Sequence, residues 1–135
     1  MTPNQQNHSK VKRFAVIGNP VAHSKSPQIH AAFAKQTGIQ LQYDLLPTPI
    51  EAFESVVEQF FAEGGSGLNV TVPFKERAWT MAQGGLTERA RVAGAVNTLW
   101  WGDARLHGCN TDGVGLLADL HRLSVDVKGH DVLLL

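Results

Sequence analysis

Short apolar runs alternate with helical segments along this chain, and this alternation constrains the fold more than any other feature of the sequence. The runs at residues 13–17, 41–46 and 68–72 have strand character, and each precedes a segment with helical signals. Later, residues 96–101 and 105–109 flank Gly102-Asp103 and predict a hairpin. Strands that alternate with helices indicate an α/β fold, with a mostly parallel sheet flanked by helices and one hairpin.

Several helix boundaries are marked in the sequence. Ser26-Pro27 predicts the start of the first helix, and Gly38 predicts its end. The segment TPIE, residues 48–51, predicts a capping box at the start of the second helix. The third helix is predicted to follow Pro73, which places Lys75 near a helix N-terminus, where the macrodipole disfavours a cation. This lysine therefore needs an explanation other than helix stability.

Composition and charge exclude several classes of function. Twelve basic and twelve acidic residues give a net charge of zero, which argues against nucleic acid or an acidic membrane surface as the main partner. The single cysteine, Cys109, excludes an intrachain disulfide and predicts a cytoplasmic protein. No apolar run approaches the roughly 20 residues of a membrane span. Residues 1–12 contain no apolar signal segment and are predicted to be a disordered tail.

Unusual polar residues follow the predicted strands. In α/β sheets, ligands bind beyond the carboxyl ends of the strands, so these residues are expected to share one site. They are Ser24, Lys25, Ser26, Asn69, Thr71, Lys75, Asn97, Asn110 and Asp112. The six histidines lack the spacing of metal ligands, so no metal site is predicted.

Each of these residues also has a structural interpretation. Ser26 and Asp112 could be helix caps, and Thr71 could be a strand former. Lys75 could be a solvated surface residue. Asn97 stands in the β-rich run AVNTLWW, where asparagine is disfavoured, which predicts a specific hydrogen-bonding partner.

The segments GNPVAHSKSP, NVTVPFK, LTERA, GAVNT and NTDGVG, in this order, resemble the N-terminal half of shikimate dehydrogenases. The resemblance extends from Phe14 over nearly the whole chain. It implies the reversible NADPH-dependent reduction of 3-dehydroshikimate to shikimate, a step of chorismate and aromatic amino-acid biosynthesis. The implied cofactor is NADP, and the implied assembly is a monomer or a homodimer.

The resemblance also implies roles for individual residues. Lys75 is the implied catalytic acid/base, and Asp112 is its partner. Ser24 and Ser26 are the implied ligands of the substrate carboxylate, and Glu88 is expected near the cofactor. The whole implied substrate site consists of Ser24, Ser26, Thr71, Lys75, Asn97 and Asp112.

The family continues into a nucleotide-binding domain, and the resemblance implies that this chain is a truncated form in which that domain is missing. Residues 13–122 are predicted to form the substrate-binding and catalytic domain, and residues 123–135 a linker and the first strand of a truncated NADP-binding domain. The chain alone is therefore expected to be inactive. One departure from the family lies at residues 82–85 (AQGG), which are glycine-rich where relatives often carry charges. The alternatives are a relative that uses quinate and a cofactor-free module that binds shikimate.

Overall fold

Residues 11–133 and 135 are described by a computed structural model. Most of the tail predicted at residues 1–12, namely residues 1–10, lies outside the described residues. The elements follow in the order β1 (Lys12–Gly18), α1 (Ser26–Thr37), β2 (Leu41–Pro47), α2 (Phe53–Ala62), β3 (Gly67–Val70), α3 (Lys75–Met81), α4 (Glu88–Ala93), β4 (Thr98–Gly102), β5 (Arg105–Cys109) and α5 (Asp112–Arg122).

The predicted α/β class is confirmed, and the sheet is mixed. Its five strands lie in the order β2-β1-β3-β4-β5. The first three strands run parallel, whereas β4 pairs antiparallel with β3 and with β5. The predicted hairpin joins β4 to β5 through Asp103 and Ala104, both at positive φ. Because β4 reverses direction, its beginning and the end of β5 lie at the carboxyl edge of β3.

The hydrophobic core lies on one face of the sheet. Alternate residues of β1, β3 and β4 point into it, as period-2 patterning requires. The second helix contributes Phe53, Val57 and Phe60, which lie on one face at helical spacing. Ala78 and Ala90 bring α3 and α4 into the same cluster. This packing holds the start of α3, and with it Lys75, against the carboxyl edge of the sheet.

The opposite face carries α1, which packs beside β2. Ile29 and Phe33, which are four residues apart and therefore share one face of this helix, are about half exposed. The predicted stop at Gly38 is confirmed, since Gly38 is the C-cap at φ 70°. Among the helices of the described residues, none has the length and apolarity needed to cross a bilayer.

Two local predictions are wrong. Thr48 does not cap a helix, because its hydroxyl donates to the Leu46 carbonyl at 3.1 Å and a short 3₁₀ turn, Ile50–Ala52, precedes α2. The strand predicted to end at Val72 ends at Val70, because the chain turns at once and the Phe74 amide donates to the Thr71 carbonyl at 3.0 Å.

The strand predicted at residues 131–135 belongs to the NADP-binding domain that the resemblance implies. Residues 131–133 and 135 have no strand structure, and Val132, Leu133 and Leu135 are exposed. A central parallel strand needs neighbours on both sides, and the five-stranded sheet does not include this segment. The division of the chain after residue 122, including the strand expected in its last residues, stays a prediction.

Candidate active site

The carboxyl edge of β1 and β3 gathers polar side chains from distant parts of the chain. Lys75 is the first residue of α3, Asn97 precedes β4, and Asp112 is the first residue of α5. The antiparallel hairpin produces this convergence, because Thr98 pairs with both Asn69 and Cys109. The shared location predicted from the sequence is therefore present for these three residues.

Lys75 and Asp112 form an ion pair at this edge. The Lys75 Nζ atom donates to Asp112 Oδ2 at 2.7 Å, and the two side chains are 30% and 53% exposed. The hydrogen bond from Lys75 lowers the pKa of Asp112, and the hydrogen bond from Asn97 acts in the same direction against partial burial. Asp112 is therefore a carboxylate at neutral pH. Lys75 is therefore partly exposed and paired with a carboxylate rather than simply solvated.

Asn97 connects this ion pair to the neighbouring loop. Its Nδ2 donates to Asp112 Oδ1 at 3.0 Å and to Thr111 Oγ1 at 2.8 Å. Its Oδ1 accepts from the Thr98 hydroxyl at 3.0 Å and from the Thr111 amide at 3.2 Å. The amide thus has specific partners on both sides, as predicted. A ligand hydroxyl at Asn97 would have to replace one of these bonds.

The start of α5 is fixed by Asn110 rather than by Asp112. The buried Asn110 accepts from the Asp112 amide at 2.9 Å and donates to the Ala95 carbonyl at 3.0 Å. Thr111 is the N-cap residue and makes no side-chain cap bond. The interpretation of Asp112 as a cap is therefore wrong, and its carboxylate is left for Lys75 and Asn97.

Ser24 and Ser26 form a second polar group, at the start of α1. The Ser24 hydroxyl donates to Ser26 Oγ at 3.1 Å and accepts from the Ser26 amide at 3.2 Å. Ser26 is the first helical residue, and the N-cap is Lys25 without a side-chain bond, so the prediction of Ser26 as a cap is wrong. Two hydroxyls at the N-terminus of a twelve-residue helix suit an anion.

Thr71 lies at the carboxyl edge of β3 and β1. It follows the last residue of β3, and its amide donates to the Ile17 carbonyl of β1 at 3.0 Å. Its Cγ2 atom would lie 2.5 Å from a Cβ at Gly18, so this contact requires glycine at the end of β1. Because Thr71 lies after the end of β3, the interpretation of this residue as a strand former is wrong.

Glu88 is separate from these groups. Its carboxylate, 77% exposed, accepts from Arg91 one turn further along α4, at 2.5 Å. It borders a shallow cavity between α4 and α5, whose lining also includes Asn110 and Val114. A role beside the cofactor stays a prediction.

Sequence reasoning missed Tyr43. Its hydroxyl donates to Asn69 Oδ1 at 2.6 Å, and its ring stacks on His30 with centroids 4.0 Å apart. Burial raises the pKa of Tyr43 to about 12, partly opposed by the Ser26 hydroxyl. The alternation Leu41, Tyr43, Leu45 on β2 was a signal that this phenol faces inward.

An apolar cavity of about 580 Å³ lies elsewhere, between α2, α3 and the hairpin. Its lining includes Val57, Phe61, Met81, Trp101 and Leu106. A small polar substrate needs several convergent hydrogen-bonding groups, which the edge at Lys75 provides and this apolar lining does not. The polar edge is therefore the candidate site.

The fold and the site together define an α/β domain that binds a small polar ligand beside a lysine–carboxylate pair. The family model described as the shikimate dehydrogenase substrate-binding domain matches residues 16–99. The chain therefore belongs to the shikimate dehydrogenase family, through its substrate-binding domain.

Relatives and solved structures agree with this assignment. The chain is 61% identical to the NADP⁺-dependent shikimate dehydrogenase of Bordetella petrii over 126 residues, which are 93% of this chain and 44% of that protein. It is 55% identical to the Cupriavidus necator protein of the same name, over all of this chain and 46% of that protein. The Thermus thermophilus shikimate 5-dehydrogenase, in complex with NADP(H) and shikimate, matches with a TM-score of 0.80 at 36% identity, over 87% of this chain and 44% of that one. The chain thus spans about half the length of the relatives it matches.

Proposed function

We propose that this chain is the substrate-binding and catalytic part of an NADP-dependent shikimate dehydrogenase. The proposed reaction is the reversible reduction of 3-dehydroshikimate to shikimate, in chorismate and aromatic amino-acid biosynthesis. The observation that carries the proposal is the 2.7 Å pair between Lys75 and Asp112 at the carboxyl edge of the sheet. Family membership supplies the substrate, because the similar Thermus thermophilus structure contains shikimate.

The lysine supplies the proton that this chemistry requires. When a ketone accepts hydride, negative charge develops on its oxygen, and a donor about 3 Å away that releases a proton accelerates the step by about 10²–10⁴-fold. The Lys75 ammonium carries three donors, and one of them points at Asp112. A second donor can reach the substrate oxygen while Asp112 keeps the ammonium in place. In the reverse direction, the same amine receives the hydroxyl proton.

The remaining groups suit a polyol that carries a carboxylate. We assign the carboxylate to the hydroxyls of Ser24 and Ser26, because the positive end of the α1 dipole favours an anion there. We assign the ring hydroxyls to Asn97, Asp112 and Thr71. Hydrogen bonds rather than apolar packing would then provide the specificity for the substrate.

The described residues offer hydrogen-bonding groups that suit the substrate, but no glycine-rich turn that suits the pyrophosphate of the cofactor. The glycine-rich run at residues 64–67 leads from α2 into β3, whereas a pyrophosphate site needs a glycine-rich turn from a strand into a helix. We therefore place NADP binding in the part of the relatives that this chain does not span. Glu88 is assigned to the edge that faces this cofactor.

A fusion protein, in which this chain is joined to the second half of the Bordetella petrii relative, tests the proposal. We expect shikimate-dependent reduction of NADP by the fusion protein and none by the 135-residue chain alone. Failure of the fusion protein to turn over, while the chain alone binds shikimate, would instead favour a cofactor-free binding module. Faster turnover with quinate or with NAD would favour a relative of different specificity.

We also propose a cytoplasmic location. The free and buried Cys109 thiol is typical of a reducing compartment. The expected assembly is a monomer or a homodimer, without a nucleic-acid or membrane partner. Light scattering of the fusion protein in solution distinguishes the two assemblies.

A further inference from the structure

Tyr43 stands between the two polar groups of the candidate site. On the sheet, Tyr43 of β2 pairs with Phe14 of β1, and Asn69 of β3 pairs with Val16 of β1. The Tyr43 side chain therefore spans the width of β1 to place its hydroxyl 2.6 Å from Asn69 Oδ1. Adjacent strands lie about 4.8 Å apart, so a serine or threonine at this position would be too short.

On the side of the serines, Tyr43 is held by α1. His30 stacks on the phenol ring at 4.0 Å with an interplanar angle of 15°. The His30 Nδ1 atom donates to the Ser26 carbonyl at 2.9 Å, which links the ring to the residue that carries the second hydroxyl. The Ser26 hydroxyl also acts on the phenol, because it lowers the pKa of Tyr43 against the larger effect of burial. A shift of the Tyr43 ring would therefore move the start of α1.

On the side of the lysine, the link continues through Asn69. Because Tyr43 donates to Oδ1, the Nδ2 group of Asn69 must face β4, where it donates to Thr98 Oγ1 at 3.3 Å and to the Asn97 carbonyl at 3.4 Å. The Thr98 hydroxyl in turn donates to Asn97 Oδ1 at 3.0 Å. One continuous set of contacts thus runs from the serine pair to the side chain that holds Asp112.

We propose that Tyr43 is a positioning residue, which acts through Asn69 to hold the serine pair at the correct distance from the lysine–carboxylate pair. This inference rests on the proposed function, since the two groups are assigned to opposite ends of one substrate. The phenol stays neutral at physiological pH, so it donates a hydrogen bond without repelling the substrate carboxylate. The position therefore requires an uncharged side chain that is long enough to reach Asn69 and able to donate a hydrogen bond to it.

The test uses NMR titration of the ¹⁵N-labelled 135-residue chain with shikimate and with methyl shikimate, which measures dissociation constants into the millimolar range. We expect Tyr43→Phe to weaken shikimate binding by about five- to tenfold, the effect of one lost hydrogen bond. The loss for methyl shikimate is expected to be smaller, because the ester has already lost the charged group that the serine pair holds. Thr37→Val, which removes a hydroxyl bonded to the Phe33 carbonyl outside this set of contacts, is the matched control and should change neither constant.

A second set of variants separates positioning from general stability. If Tyr43 acts through Asn69, Tyr43→Phe should have no further effect on shikimate binding in an Asn69→Ala background. Equal losses for both ligands, or additive effects of the two substitutions, would overturn the inference, as would unchanged binding by Tyr43→Phe. Absence of shikimate binding by the unsubstituted chain would instead refute the proposed function, and the inference with it.

Discussion

Two side chains of the same short helix, α3, form ion pairs, and the two pairs differ in their surroundings. Lys75 reaches Asp112 at the carboxyl edge of the sheet, whereas Arg77 reaches Glu54 of α2. Both pairs lower the pKa of their carboxylate, chiefly through the hydrogen bond from the basic residue. A comparison of charges alone would therefore treat them as equivalent.

The two pairs differ in the contacts that their basic residues make. The Arg77 guanidinium lies over Phe53 and Phe74, at 5.3 and 5.6 Å from the ring centroids. It donates to both carboxylate oxygens of Glu54 and to the Ile50 carbonyl, so the protein occupies most of its donors. Lys75 uses one of three donors on Asp112. The arginine pair ties α3 to α2, and the lysine pair leaves donors free for a ligand.

The largest effect is expected from Lys75→Ala in the fusion protein. Loss of the general acid should lower kcat by at least about 100-fold, while shikimate still binds. Steady-state kinetics with shikimate and NADP measure both quantities. Turnover near that of the unsubstituted fusion protein would remove Lys75 from the mechanism.

Asp112→Asn should have the next largest effect on catalysis. The shape is preserved and the charge is lost, so we expect kcat to fall about tenfold and the KM for shikimate to change less. The ratio of the two changes is the readout. A steep rise of KM with kcat intact would make Asp112 a binding residue only.

Arg77→Ala is the matched substitution at the other pair. It removes the contacts with two aromatic rings and with Glu54, so the Tm of the chain should fall by a few degrees. The kcat of the fusion protein should stay near its unsubstituted value. A loss of kcat as large as that of Lys75→Ala, with the fold retained, would erase the distinction between the two pairs.

The smallest expected effect is a change in the pKa of each paired carboxyl group. The folded-state pKa of Asp112 is lowered, so its pairing contributes to stability above the unfolded value of about 3.9 and is lost as pH falls through the folded value. Carboxyl-carbon NMR should show that Lys75→Ala raises the pKa of Asp112 and leaves that of Glu54 unchanged. Arg77→Ala should raise the pKa of Glu54 and leave that of Asp112 unchanged. A shift of both carboxyl groups by either substitution would show that the pairs are coupled.

The sequence predicted the parts of the fold that depend on local patterning. The alternation of strands and helices, the hairpin between β4 and β5 and the stop at Gly38 all follow from residues close together in the chain. The wrong predictions concern competing local bonds. Thr48 is a plausible cap by sequence, but its hydroxyl bonds backward to Leu46.

The sequence predicted which residues belong to the candidate site better than it predicted the contacts between them. Polar residues after strands indicated the location of Lys75 and Asp112, because parallel strands share one carboxyl edge. Tyr43 could not be linked to Asn69 from the sequence, since the contact spans 26 residues and crosses an intervening strand. Such a contact depends on strand order, which local patterns do not specify.

The most direct test of the central claim is a map of the amide shifts that shikimate causes in the ¹⁵N-labelled chain. We predict that the shifts cluster at Ser24, Ser26, Thr71 and Asn97, and that the amides of Glu54 and Arg77 stay unchanged. Shifts centred on the apolar cavity that Val57 and Trp101 line, with the polar edge unaffected, would contradict the account.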